Sequence, residues 1–516
     1  MNFSGCSNKR LLCIDFFNAT PHIETSLEIC LQFALKNGHV DYGFAGHLVQ
    51  YNEGYIVEPR QTYPLSQSPY EERLAFAARK FCEARQLPVN FIDVSSINYC
   101  IPSHDTLIKS LTSSSDINEL MNINSHGMRI GLGVASTLIW LTKDSNPTIS
   151  SHGLLIESLG KSYLEAYYLI LSLLAVSTYD YVLVFNGRFC LMRAIQDAAL
   201  VSKVVPLFHE RGADEHRFFF QNWMPHDRTS VSNQILSTWH DACKQNRKNA
   251  LRAGQSFFTR RRCGDGVGWK SFTDLQVTGT VPLFMEKIRS ISGSKPIICY
   301  FSSSDDEYKA VGDELFGEGP FGDQLTTLRL FYELSCLNKC HLIIRIHPHM
   351  AEKSVSEQSR WQTCLDVNRA DVTIIDPTSN YSTYELMDSC DIVAVYGSTC
   401  GIEAVAAGKP VIHLGVSFYS DINVSMLCPR SLESLSLSID NALRLKVDPK
   451  TALPYGYWLS EFGNKFRIFE PQGLFDGSFL GIRRSQRNTS LLTVLFARLF
   501  AFARKVSLVL KSFHKR

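Results

Sequence analysis

Short apolar runs alternate along the chain with stretches of helical periodicity, the pattern of βαβ units around a mostly parallel sheet. Residues 11–17 read as a first strand, with a turn at 18–21 and then a helix to Asn37 that Gly38 stops. Strands are expected at 40–44, 90–94, 181–185 and 204–208, separated by helices near 71–85 and 154–177. The stretch 101–150 is mixed, with a helix expected at 106–121. From 247 to 281 the periodicity weakens, as in RKNALRAG and TRRRCGDGVGW. The rhythm returns with strands at 296–302, 341–346, 372–375, 391–396 and 411–414, and a helix at 323–338. Ser382 followed by Glu385 reads as a capping box, and Gly408 as the stop of the helix after residue 397.

This pattern predicts an α/β protein of two doubly wound domains in tandem with a cleft between them. The expected organisation is an acceptor-side α/β domain at 1–250, a linker at 251–294, a second α/β domain at 295–445, a return segment at 446–480 and a tail at 481–516. The linker arginines read either as a solvated face or as a phosphate-facing basic loop.

Composition sharpens the picture in three places. With 516 residues, 45% hydrophobic and 20% charged, the chain is globular. Its net charge of +2 gives no reason to expect nucleic acid as a partner. Nine basic and no acidic residues lie between Gly481 and Arg516, so a mildly acidic body ends in a cationic tail. The tail is expected to form a basic amphipathic helix that lies on an anionic membrane surface or docks on protein. The fifteen cysteines include no CxxC pair, which argues for reduced thiols rather than a disulfide framework or zinc ribbon. The first apolar run is too short for a secretory signal, and charges interrupt every long apolar stretch. A soluble cytoplasmic body is expected, peripheral on the inner membrane face if the tail binds lipid.

In open parallel sheets, ligands bind beyond the carboxyl ends of the strands. Three segments of the second domain are expected there: Ser302 and Ser303 with the acidic turn to Glu307, His347–Pro348, and the turn from Gly397 to Gly401. Gly397 and Gly401 permit a tight turn, Ser398 and Thr399 supply hydroxyls, and the following helix offers free N–H groups and a positive dipole end. That is a phosphate cradle, although Ser398 or Thr399 could equally be a plain helix cap. Glu403 is placed to accept from ribose hydroxyls. Pro348 holds His347 extended, and Arg345 shares its strand face. In the first domain, Arg188, Glu210 and Arg211 are acceptor-side candidates or loop-fixing pairs. Asp15, His22 and His47 are candidate general bases, of which Asp15 and His22 are carried forward as catalytic. Asp305, Asp306 and Glu307 could hold a divalent ion but read better as an acidic solvent-exposed turn, and no metal or other cofactor is expected. Neither a Walker A loop nor a GxGxxG follows the first strand.

The stretch YSTYELMDSCDIVAVYGSTCGIEAVAAGKPVIHL, residues 381–414, resembles the nucleotide-binding half of GT-B glycosyltransferases of bacterial capsule and surface-polysaccharide biosynthesis. RIHPH at 345–349, FSSSDDE at 301–307, FNGR at 185–188 and HERG at 209–212 are similar to segments of the same group. The resemblance implies two Rossmann-like domains around a cleft, with a nucleotide-sugar donor mainly on the second. His347 would contact the nucleotide, and Ser398 and Thr399 its phosphate. It implies a metal-independent glycosyltransferase acting on a glycan or glycolipid acceptor. Nucleotide-sugar epimerases, glycerophosphotransferases and a non-catalytic subunit of a polysaccharide assembly complex remain alternatives, since one fold hosts several reactions.

Overall fold

The computed structural model describes residues 7–17, 19–49, 69–265, 276–312, 315–363 and 369–484. The strands are β1 (Arg10–Asp15), β2 (His39–Phe44), β3 (Val89–Phe91), β4 (Tyr181–Phe185), β5 (Val205–Arg211), β6 (Arg217–Gln221), β7 (Ile297–Phe301), β8 (His341–Arg345), β9 (Val372–Ile375), β10 (Ile392–Val395), β11 (Val411–His413), β12 (Asn464–Lys465), β13 (Phe469–Gly473), β14 (Asp476–Phe479) and β15 (Ile482–Arg483). They form a seven-stranded sheet in the order β12-β6-β5-β4-β1-β2-β3, a five-stranded sheet in the order β11-β10-β7-β8-β9, and a small meander β13-β14-β15. In the first sheet β1 to β5 pair in parallel, while β6 and β12 add antiparallel. The second sheet is parallel throughout.

The parallel strands are apolar without alternation because helices cover both faces. β7 and β8 are buried along their whole lengths. Alternate residues still part between faces: Leu12 and Ile14 of β1 join one core, and Leu11 and Cys13 another. One continuous apolar cluster runs from the Leu12 face of the first sheet to the Ile297 and Cys299 face of the second.

In each sheet the strand order reverses beside the first strand laid down, between β1 and β4 and between β7 and β10. Such switch points open a crevice at the carboxyl ends, where ligands bind in open α/β sheets. The residues after β1, β4, β7 and β10 therefore carry the candidate site.

Most expected strands fall within a residue or two of those observed. The helix expected at 106–121 is instead two, Asp105–Thr112 and Ile117–Asn122; Asp116 caps the second by accepting from the amides of Asn118 and Glu119. The helix expected at 323–338 narrows to Gln324–Phe331, followed by a π-turn at Tyr332–Cys336. Asn37, with φ of 60°, takes the left-handed position expected at Gly38. The stretch expected to be a linker is mainly helical. Arg228–Arg262 is one long helix kinked at Asn246, and Val281–Ser292 is another. The buried apolar positions of the first, Val231, Ile235, Phe257 and Phe258, are few, and a glycine joins them at one close contact. Gly254 and Gly456, on the helix Leu453–Glu461, bring two backbones together, and a Cβ on Gly456 would stand 2.6 Å from the Gly254 carbonyl. Of the arginines in this stretch, Arg252 and Arg260 are exposed, as a solvated face would have them, while the half-buried Arg261 and Arg262 pair with Glu403 and Asp388.

The helix Gly153–Val176 is long and apolar enough to cross a membrane by length and composition. Here its Ile156, Leu159, Tyr163 and Ile170 are buried in the first-domain core. Of the expected tail at 481–516, residues 482 and 483 form β15, and 485–516 lie outside the described residues.

Candidate functional site

The three second-domain segments converge, and hydroxyls do the joining. The Ser302 hydroxyl accepts from the His347 amide at 2.8 Å, and the Ser302 amide donates to the Arg345 carbonyl at 3.1 Å. The Ser303 hydroxyl accepts from the Gly397 amide at 3.2 Å. Gln324 completes the knot, accepting from the Ser303 amide at 2.7 Å. Each strand end thus fixes its neighbour, and the two buried serines are committed largely to holding the loops.

His347 starts the 3-10 turn Pro348–Glu352, and its Nδ1 accepts from the His349 amide at 3.2 Å. Burial, then the neighbouring His349, Lys353 and Arg345, push its pKa down to about 4. The ring is therefore neutral near pH 7 and carries its proton on Nε2, as a donor. Lys353 is neutralised by Asp306 at 2.5 Å.

The turn after β10 differs from the expectation in three respects. Its helix, Cys400–Ala406, has only seven residues, so its dipole end is a weak anchor. Gly397 and Gly401 have no positive φ. They are small because a Cβ would stand 2.5 Å from the Val416 carbonyl in one case and 2.6 Å from the Tyr419 hydroxyl in the other. Glu403 is buried and already engaged, accepting from Tyr384 at 2.6 Å and from Arg261 at 3.3 Å, which replaces the ribose role expected for it. Ser398 is half-buried, with a long 3.4 Å contact from the Cys400 amide. Thr399 is exposed at the N-cap position and makes no capping bond, so plain capping does not account for it.

Across the cleft the groups are titratable. Asp15 ends β1, buried, and accepts from Ser26 at 2.8 Å and Tyr42 at 2.5 Å. Burial lifts its pKa to about 7 against the pull of those two bonds. The Ser26 hydroxyl also lies 3.0 Å from His209 Nε2. Because Ser26 gives its proton to Asp15, His209 donates to Ser26 and is neutral, consistent with a pKa that burial carries far below its ordinary value. His22 opens the helix His22–Ala34, its ring tilted against that of Phe185 with centroids 4.0 Å apart. Burial, then Arg211, lowers its pKa to about 3. Its Nδ1 faces Glu210 Oε1 at 3.9 Å, with side-chain exposures of 14% and 22%.

Glu210 accepts from Asn186 at 2.6 Å and from the Arg211 amide at 2.9 Å, and burial raises its pKa. Asn186 reaches it from a left-handed φ of 57° beside Gly187. A Cβ on Gly187 would strike Phe208 at 2.6 Å, so this turn tolerates only glycine there. Arg211 donates to the Leu474 carbonyl at 3.2 Å and lies over the Phe475 ring.

Arg188 is not an acceptor contact. It crosses to the second domain, donating to the Asp306 carbonyl at 2.8 Å and to that of Glu307, with Ser136 as its third partner at 3.0 Å. Arg193 similarly reaches the Val311 carbonyl at 2.9 Å. The turn after β4 therefore grips the loop after β7, which sets the two switch points face to face. Asp305 and Asp306 are held by Gln324 and Lys353. Among the described residues no group of three or more His, Cys, Asp or Glu side chains is arranged to hold a metal. Sequence reasoning missed Ser26 and His209; Ser26 lies one helical turn after His22, the signal that could have found it.

Residues 319–426 match the family model of capsule polysaccharide biosynthesis proteins. The matched segment carries His347, Pro348, Ser398, Thr399, Gly401 and Glu403, and ends before the return to the first sheet. Ser302, Ser303 and the first-domain groups lie outside it. No curated protein matches the chain. Among solved structures, the chain is similar to the Thermosulfurimonas dismutans KpsC beta Kdo 2,4 transferase at 13% identity, covering 54% of this chain and 79% of that one with a TM-score of 0.32. It is also similar to the UDP-GlcNAc 2-epimerase from Neisseria meningitidis bound to UDP-GlcNAc, at 10% identity, covering 87% and 97% with a TM-score of 0.26.

Proposed function

We propose that the chain is a glycosyltransferase of capsule or surface-polysaccharide synthesis, taking a sugar from a nucleotide-activated donor to a glycan or glycolipid hydroxyl. The observation that carries this reading is the knot of Ser302, His347 and Gly397 at the second switch point, inside and beside the capsule-biosynthesis segment. In this reading the nucleotide phosphate meets His347 Nε2–H and the Ser398 and Thr399 hydroxyls. The acceptor lies toward Glu210, His22 and Arg211. Its oxygen attacks the anomeric carbon, the bond from that carbon to the donor phosphate oxygen breaks, and the nucleotide leaves with the electron pair. Glu210, the more exposed carboxylate, takes the acceptor proton. Asp15 is buried and bonded to Ser26 and Tyr42, so its role is to order Ser26 and, through it, His209.

Protein groups rather than a metal meet the leaving charge in this reading, and the cationic residues beyond 484 bring a cytoplasmic enzyme to anionic lipid. The test is incubation with CMP-, UDP-, GDP- and CDP-linked sugars, with and without glycan acceptor. Acceptor-dependent loss of donor is the expected result. Donor epimerised without any acceptor contradicts transfer.

A further inference from the structure

Three cations stand close around the second-domain loops, and their partners differ. Arg261 pairs with Glu403 and Lys353 with Asp306. Arg345 is 2% exposed and, among the described residues, has no carboxylate within ion-pair distance. Its guanidinium donates to the Ser379 carbonyl at 3.0 Å and to that of Asp376, while Nε has no acceptor. The Asp376 carboxylate is exposed and accepts from the amide and hydroxyl of Thr378. Arg345 and that carboxylate feel each other's charge only from outside ion-pair distance, so the buried guanidinium lacks a direct counter-charge, which is costly.

The position of this charge gives it a use. Arg345 ends β8, between Phe301 of β7 and Ile375 of β9, and its own carbonyl holds the Ser302 amide. Two residues on, His347 feels its charge; so do Cys299 within β7 and Cys400 at the start of the turn helix, whose thiols burial raises and Arg345 opposes. The guanidinium fastens the loop after β9 while the Arg345 carbonyl holds the loop after β7, so one residue ties two strand ends beside the converging loops.

We infer that Arg345 is the fixed counter-charge of the site, a positioning residue that stabilises a phosphate or diphosphate group bound above it without touching that group. This rests on the nucleotide-sugar reading and names the ligand group to which the buried charge responds.

Pyrophosphate and uncharged nucleosides, titrated calorimetrically into wild type, Arg345→Lys and Arg345→Gln, test it, with circular dichroism to verify folding. Lysine keeps the charge and loses the two-carbonyl fork; glutamine keeps a carbonyl donor and loses the charge. Pyrophosphate affinity should stay within about threefold for Arg345→Lys and fall about tenfold or more for Arg345→Gln, the scale of one charge interaction near a protein surface. Nucleoside affinity should be the same in all three. The inference is overturned if wild type binds no pyrophosphate, if Arg345→Gln binds it as wild type does, or if nucleoside and pyrophosphate weaken together. If pyrophosphate behaves as expected but no nucleotide-sugar binds, the counter-charge stands and the glycosyltransferase reading falls.

Discussion

At the strand ends of the second sheet, hydroxyls hold backbone: Ser302 holds the His347 amide and Ser303 the Gly397 amide. At the strand ends of the first sheet, side chains hold side chains: Tyr42 and Ser26 hold Asp15, His209 meets Ser26, and Asn186 holds Glu210. The same switch-point geometry thus carries a rigid loop frame on one side and a chain of titratable groups on the other. A frame of loops suits a ligand bound in one pose, and a chain of buried acids and neutral imidazoles suits the holding or moving of a proton.

The sharpest way to break this division is to remove the proton acceptor alone. Glu210→Gln keeps the bond from Asn186 in reach and should lower the transfer rate by ~10²–10⁴, the usual worth of a general base, with nucleotide affinity unchanged. A parallel loss of nucleotide affinity would show that the first-domain groups also bind. On the other side, His347→Ala should weaken phosphate-bearing ligands ~10–100-fold, as expected for a hydrogen bond to a charged group, and leave the proton step intact once donor is saturating. A lower rate at saturation with unchanged affinity would reverse the assignment.

Stability against pH comes next in size. His22, His226 and His413 have pKa values of about 3 in the fold, set mainly by burial, against roughly 6.5 in an unfolded chain. The unfolded chain binds more protons between those limits, so stability falls as pH drops from about 6.5 toward 3. Asp15, raised to about 7, has the opposite sign: its contribution is complete below an unfolded value near 4 and fades as pH rises through 7. Melting temperatures from pH 4 to 8 should show the first slope in Asp15→Asn and lose the second. Ser26→Ala should cost about 1–3 kcal/mol in denaturant unfolding, since it strips a buried carboxylate of a donor. The smallest effect expected is on membrane recovery: deleting residues 485–516 should reduce co-sedimentation with anionic vesicles and leave activity on a soluble acceptor unchanged, and equal recovery counts against lipid attachment.

The two sheets were legible because parallel strands with both faces covered leave unbroken apolar runs such as YVLVF and HLIIR. The helix Arg228–Arg262 was harder to read: its buried positions Val231, Ile235, Ala250, Gly254 and Phe257 are widely spaced among polar residues, and one of them is a glycine in close backbone contact. The convergence of residues 302, 347 and 397 followed from strand-end logic alone. What each side chain does there did not, because partner choice depends on residues far away in the chain. Glu403 meets Arg261 and Tyr384, and Arg188 meets carbonyls more than a hundred residues on. The tight-turn reading of Gly397 and Gly401 failed in the same way: Val416 and Tyr419, not the local φ, require the small residue.

The central claim is that the loop frame of the second domain holds a nucleotide phosphate. Calorimetric titration of a nucleotide panel into wild type, Glu210→Gln and the double variant Ser398→Ala with Thr399→Ala tests it most directly. The account predicts that one nucleotide binds wild type and Glu210→Gln alike and binds the double variant at least several-fold more weakly. Equal affinity in all three, or no nucleotide bound by the wild type, would contradict it.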